Sequence, residues 1–422
     1  MTGDSLEFSF GSWLNASAHR AWLMAEGQRL LAFARAARLD EGFGNLDGQG
    51  RLPAQAMAET MNTARMTHCF AMAHIQGIPG CLPLVEHGVA ALWGPLRDAT
   101  FGGWYAAPEH RDGNRGKAAY LHAFVALAAS SAVVAGCAQA QDLLAEAIRV
   151  IDTHFWSEEE GALRESFARD WSNEEAYRGA NSNMHGTEAF LALADVTGDS
   201  RWLDRALRIV ERVIHQQAGG NGFTVIEHFD RDWQPLREYN QDNPADGFRP
   251  YGTTPGHAFE WARLLLHLEA ARDAVGLLTP DWLLEDARQL FAGACCHAWN
   301  ADGRPGLVYT LDWDNRPVVR ERLHWVHCEA SATAAALLRR TREQQYETWY
   351  RRFWDFNELH FIDRLYGSWH HELDEHNRPS ARIWGGKPDL YHAYQALLLP
   401  CMPLATSLAS ALARHFAEET GV

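Results

Sequence analysis

The sequence predicts an all-α toroid, an (α/α)6 barrel, with short β-hairpins in the loops at its rim. Three observations carry that expectation. A histidine recurs near the head of an alanine- and leucine-rich stretch six times, at His68, His122, His185, His257, His327 and His392, at intervals of 54 to 72 residues. Most of these stretches are followed by a turn and an amphipathic segment, as in DSRWLDRALRIVERVIHQ at 199–216 and TPDWLLEDARQLFAGACCHAW at 279–299. The first helices are too apolar all round for an open solenoid, and closing six helix pairs into a ring buries them.

Each element follows from its local pattern. The inner helices are read from MTHCFAMAH, AYLHAFVALA, NMHGTEAFLALA, PGHAFEWARLLL, WVHCEASATAAALL and LYHAYQALLL. The most apolar run, LHAFVALAASSAVVAGCA at 121–138, approaches a membrane span in length but carries His122 and serines, and reads as a helix buried in protein. Two segments, 222–239 and 306–325, alternate apolar and polar residues around Asp-Arg-Asp and Asp-Asn centres, which predicts rim hairpins. No Pro/Gly/Ser-rich linker interrupts the series, so residues 1–422 are read as a single catalytic domain.

Composition narrows the function classes. With 47% hydrophobic and 22% charged residues among 422, the chain is of ordinary globular type. A net charge of -16 disfavours nucleic acid and anionic membrane surfaces as partners. The first residues, MTGDSLEFSFGSWLNASAHRAW, show neither the basic nor the apolar region of a secretory signal. An odd count of seven cysteines without a CxxC pair reads as reduced thiols, and the expected location is cytoplasmic. Seventeen tryptophans are many for this length, and those in loops suit the faces of sugars. Oligomeric state is left open between a monomer and a homo-oligomer.

The chemistry centres on PYGTTPGHAFEWARLLLHLEA, 250–270. With Thr254 as N-cap and Pro255 at the first helical position, His257 falls in the first turn, where the helix dipole favours the neutral imidazole. Glu260, three residues on, is expected to accept a ring N–H from His257 and fix its tautomer. His185 and Glu188 repeat the spacing, while Gln395 takes the carboxylate's place after His392. Inner helices that start at one mouth would bring His185, His257 and His392 together, leaving His68, His122 and His327 as structural echoes of the repeat. Three chemistries compete: a metal site, for which HExxH is lacking; glycoside hydrolysis by a carboxylate pair drawn from Glu260, Glu329 and Asp389; and histidine-mediated proton abstraction beside a sugar carbonyl. The third uses the residues present. No dinucleotide or NTP cradle and no GxSxG motif occurs.

NMHGTEAFLALADVTGDSRWLDRALRI, NPADGFRPYGTTPGHAFEWARLLLHL and IWGGKPDLYHAYQALL resemble the N-acylglucosamine 2-epimerase superfamily, within it the aldose-ketose isomerase branch. The resemblance runs from about Trp13 to Pro403. It implies the same toroid, a monosaccharide substrate, and sugar isomerisation with no cofactor and no metal. By motif it implies His257 and His392 as the acid/base pair, Glu260 as the partner carboxylate, and His185 with Asn181 as the groups that help open the sugar ring. It further implies Arg65, Tyr120, Arg249, Trp325, Glu329, Trp384, Asp389 and His371 as residues lining the pocket. Where this chain has His370 and His371, the sulfoquinovose-isomerising branch has tryptophan and glutamine, which favours an uncharged hexose. The 2-epimerase reading remains the alternative, because it differs in geometry rather than in residue type.

Overall fold

The computed structural model describes residues 11–108 and 116–420. Thirteen α-helices follow one another: α1 (Ser17–Ala34), α2 (Thr60–Ile75), α3 (Leu82–Trp93), α4 (Ala119–Val134), α5 (Ala140–Val150), α6 (Ala180–Thr197), α7 (Arg201–Val210), α8 (Pro255–Ala274), α9 (Trp282–Ala298), α10 (His324–Thr341), α11 (Gln344–Phe356), α12 (Tyr391–Leu398) and α13 (Leu408–Thr420). The even-numbered helices α2 to α12 contact their neighbours in sequence, and α12 returns to α2, so they form a closed inner ring. Helices α3, α5, α7, α9 and α11 each back the inner helix that precedes them. The sixth outer helix is α1, from the start of the chain, which packs on α12. Helix α13, where the sequence shows only an alanine-rich tail, lies against α2, α4 and α6.

Side-chain pattern explains the two layers. Almost every position of α2, α4, α6, α8 and α10 is buried, since these helices have protein on all sides. Helix α4 carries no charged residue and its small side chains let α2 and α6 approach it closely. The outer helix α7 buries only Trp202, Leu203, Ala206, Ile209 and Val210, one stripe at helical spacing. No helix is long and apolar enough to cross a membrane among the described residues. All seven cysteines are unpaired.

Short strands stitch the starts of the inner helices to one another. Residues 117–118, before α4, pair with Ser166–Phe167; Tyr177–Gly179, before α6, pairs with His228–Asp230; and Arg322–Leu323, before α10, pairs with Glu372–Leu373. A bridge from Thr253 to Leu311 ties the entry of α8 to the next segment, and one from Leu46 to Lys387 closes the circle. The hairpin expected in 306–325 is present, Thr310–Leu311 against Pro317–Val319. The segment 222–239 also turns at its Asp-Arg-Asp centre, where Asp230 N donates to Gln234 O, but its strand takes its register mainly from Tyr177–Gly179. One device recurs in these turns: Asp47, Asp230, Asp312 and Asp374 each accept, through Oδ1, the backbone N–H groups two and four residues ahead.

The repeated histidines divide into two kinds. His122 and His327 do the same structural work: each accepts a rim-loop backbone N–H at Nε2, from Trp104 and Leu307 respectively, and donates Nδ1–H to the carbonyl four residues earlier. His68 donates to Ser131, whose own hydroxyl proton goes to Leu127 O. These rings brace the fold and lie away from the central cavity. Burial lowers the pKa of His122 and His327 to about 3 and of His68 to about 4. The unfolded chain therefore binds protons that the native state refuses once pH drops below about 6.5, and stability falls with pH across the window from there down to about 3. We expect the denaturation midpoint to decline steadily from pH 7 to pH 5; a flat midpoint would contradict the neutral burial of these rings. His122→Leu, which orphans Trp104 N, should cost about 1–3 kcal/mol of stability by denaturant unfolding.

Candidate active site

The stitched rim opens onto a cleft of about 690 Å³, its mouth included, at the shared head of the inner helices. Every inner helix supplies its lining from the first two turns, α12 giving His392 from its second residue. His257, His392 and His185, up to more than two hundred positions apart in sequence, meet there with Glu260, Arg65, Tyr120, Asn181, Trp325, Trp384, Asp389 and His371.

Two imidazoles share one arrangement. His257 Nδ1 lies 2.9 Å from Glu227 Oε2, and His392 Nδ1 lies 2.9 Å from Glu329 Oε1. A carboxylate only accepts, so each ring donates Nδ1–H and leaves the Nε2 lone pair for the cavity. The Trp325 indole neighbours both, 5.2 Å from the His257 ring and 5.6 Å from that of His392, tilted 36° and 37° to them. Gly256 makes room for it, since a Cβ there would stand 2.4 Å from the indole. The pair is not symmetrical behind the rings. Glu329 Oε2 also accepts from Arg263 Nε at 2.8 Å, whereas Glu227 holds His257 and the backbone N–H of Thr254, the N-cap of α8. Burial, with the nearby Arg65 charge, pushes the His392 pKa well below the ordinary imidazole value, so the ring rests as a free base.

The sequence expectation for Glu260 needs correction. It does not hold His257; Glu227 does. His257 sits in the first turn of α8, where its ring reaches the rim segment folded over the helix end. Glu260 lies one turn deeper and faces the ring interior, 3.7 Å from His185 Nδ1 and 3.6 Å from Arg263. Glu329, unlike Glu260, does not line the cleft; it stands behind His392 and orients it. Arg249 is likewise turned away, its guanidinium stacked 4.0 Å over Tyr177 and bonded to Glu175 at 2.7 Å. Arg65 does reach the cleft, committed to Asp389 at 3.0 Å and Tyr120 at 2.8 Å. Burial raises the Asp389 carboxyl and Arg65 more than offsets this, so its pKa is lowered.

Sequence reasoning missed Glu227, Arg263, His324, Phe248 and Tyr309. A lone carboxylate in the apolar run TVIEHF and a lone cation in WARLLLHL were the available signals for the first two. His324 stacks on His371 at 3.9 Å, donates Nδ1–H to His371 O and keeps its buried Nε2 unpartnered toward the cleft. Two groups have metal-ligand chemistry, His185 with Glu188 and Glu260, and Glu260 with Glu329 and His392. Arg263 already stands among their carboxylates, 2.8 Å from Glu329, 3.6 Å from Glu260 and 3.9 Å from Glu188, and supplies positive charge where a cation would sit.

A cleft with two Nδ1-anchored imidazoles beside one indole has the groups to move a proton between neighbouring carbons of a bound sugar. Residues 42–396 match the model of the N-acylglucosamine 2-epimerase (GlcNAc 2-epimerase) family. The chain belongs to this family. It is 70% identical over 97% of its length, and 99% of the relative's, to a D-mannose isomerase of Pseudomonas cannabina pv. alisalensis. It is 52% identical to a D-mannose isomerase of Thermobifida fusca over 95% of this chain and 98% of that one. A crystal structure of a D-mannose isomerase superposes with a TM-score of 0.82 at 28% identity, over 90% of this chain and 97% of that one. The toroid expected from periodicity is the fold of these relatives, and the chain, like them, is a sugar-processing enzyme.

Because Glu227 fixes the His257 tautomer and balances the imidazolium, Glu227→Gln should lower kcat by about 10–100-fold with an unchanged melting temperature. Full activity in that variant would show that the Glu227–His257 bond plays no part in turnover.

Proposed function

We propose that this enzyme is an aldose-ketose isomerase that interconverts D-mannose and D-fructose. The observation that carries the reading is the pair of imidazoles beside Trp325, each with its Nδ1 held by a buried carboxylate, in a chain with extensive identity to D-mannose isomerases. In the reaction the pyranose opens with His185 and Asn181 at the ring oxygen and hydroxyls. One histidine of the His257/His392 pair takes the proton from C2, the C2–H electrons form the C1–C2 double bond of a cis-enediol, and the carbonyl oxygen at C1 gains a proton. Delivery of a proton to C1, with loss of the O2 proton, restores a carbonyl at C2 and gives the ketose. Glu227 and Glu329 stabilise whichever imidazolium forms. The electrons and protons balance without an external oxidant or cofactor.

The cleft's charges support an uncharged hexose. Among the described residues lining it, the only arginine or lysine is Arg65, and its guanidinium is taken by Asp389, Tyr120 and the Phe124 face at 4.4 Å. A sulfonate or phosphate on the sugar would find no free cation. His324 and His371, both held neutral by burial, line this part of the cleft and offer ring nitrogens to hydroxyls.

His257→Asn and His392→Asn should each lower mannose-to-fructose turnover by more than about 10²-fold. The check is product chromatography from mannose, glucose, lyxose, N-acetylmannosamine, cellobiose and sulfoquinovose, run in D2O so that solvent-exchanged carbon is labelled. Glucose as the main product from mannose would make the enzyme a 2-epimerase, and near-normal activity of either variant would remove that histidine from the mechanism.

A further inference from the structure

Glu260 is the one carboxylate of the cleft without a hydrogen bond, its nearest cationic or ring nitrogens being Arg263 Nη2 at 3.6 Å and His185 Nδ1 at 3.7 Å. Its residue is 1% exposed and neither oxygen accepts a hydrogen bond, Oε1 being buried without any partner. The other acids are all supplied. Glu227 has His257 and Thr254 N; Glu329 has His392 and Arg263; Glu188 has the Tyr391 hydroxyl; Asp389 has Arg65 and Tyr391 N. An ionised carboxylate taken from water without a single donor is among the costliest arrangements a protein interior can hold.

Charge at the cleft floor gives the same answer. Glu188, Glu260 and Glu329 surround one guanidinium, that of Arg263, while Arg65 is spent on Asp389. With all three glutamates ionised and His185 neutral, two buried negative charges would stand uncompensated. Oxygens of Glu260 and Glu329 lie within 4.8 Å of each other, near enough for one ionised group to force a proton onto the other. Arg263 itself chooses between them: it bonds Glu329 at 2.8 Å and stops 3.6 Å short of Glu260, with its Nη2 unpartnered. Tyr120 and Tyr391, the other titratable groups facing Glu260, are phenols raised by burial and stay neutral.

We infer that Glu260 is held as a neutral carboxylic acid and that its O–H is offered to the substrate oxygen on which negative charge gathers as the C2 proton leaves. The donor role rests on the isomerase reading; the protonation state does not. Burial and the Glu329 charge raise its pKa well above the ordinary carboxylate value, in keeping with this. No proton has to be transferred from Glu260: a preorganised donor in a dry cleft lowers the energy of the enediolate by the hydrogen bond alone. A buried acid kept neutral so that it can donate is known chemistry in ketosteroid isomerisation. Here the same effect arises because the nearest donors, Arg263 Nη2 and His185 Nδ1, stand beyond hydrogen-bond distance of Glu260, at 3.6 and 3.7 Å.

The test combines infrared spectroscopy with turnover, on the whole enzyme at neutral pH. The wild type should show the carbonyl stretch of a protonated carboxylic acid, shifting in D2O, and Glu260→Gln should lack it. Gln keeps a donor in place, so Glu260→Gln should lose only about tenfold in kcat on mannose, and Glu260→Leu more than about 10²-fold, the usual cost of removing an oxyanion donor. Melting temperatures separate a folding defect from a catalytic one. The inference is overturned if the wild type shows no such band, if the band persists in Glu260→Gln, if folded Glu260→Gln is as inactive as Glu260→Leu, or if metal analysis finds a bound cation at the Glu188, Glu260 and Glu329 cluster. A wild type that has the band but does not turn over mannose would instead fault the isomerase reading and leave the protonation state standing.

Discussion

The site depends on buried carboxylates that fix which imidazole nitrogen carries the proton. A free histidine exchanges tautomers; His257 and His392 cannot do so without breaking a 2.9 Å charge-assisted bond in a medium that offers no replacement. Everything the cleft does with protons follows from the two lone pairs that this leaves facing it. The asymmetry matters as well. The anion behind His392 is shared with Arg263 and the anion behind His257 is not, so two similar rings are given different electrostatic backing.

The toroid makes that constraint possible. Each inner helix is buried on every side and its start is tied to the next by a rim strand or bridge, so side chains from opposite walls are held at fixed separations. Loops alone would not keep both imidazoles beside Trp325. The His122 and His327 braces belong to the same scheme: each locks a rim segment to the helix below it, and the rim positions the cleft.

Periodicity is why so much of this fold was legible. Apolar stretches at roughly regular intervals, each led by a histidine, leave few ways to bury them other than a closed ring. The ring's closure also explains what the pattern concealed, because α1, at the start of the chain, completes the pair begun by α12 near its end. The cleft was legible where a residue near a helix start must face the axis, as for His185, His257 and His392, while Tyr120 and Asn181 were legible only through the family motifs. Pairings were not legible, because a partner is chosen by three-dimensional reach. Glu260 is three residues from His257 and does not touch it, while Glu227 is thirty away and does. Arg249 lies in a motif beside cleft residues, yet the rim turns it toward Glu175 and Tyr177.

The central claim is that His257 and His392 each hold a proton on Nδ1 against a glutamate and leave Nε2 free for the cleft. Nitrogen-15 NMR of histidine-labelled enzyme near neutral pH, assigned with the His257→Asn and His392→Asn variants, reads this directly. The account predicts for both residues an Nδ1 of pyrrole type and an Nε2 of pyridine type. A pyridine-type Nδ1 on either ring, with the proton on Nε2, would contradict it.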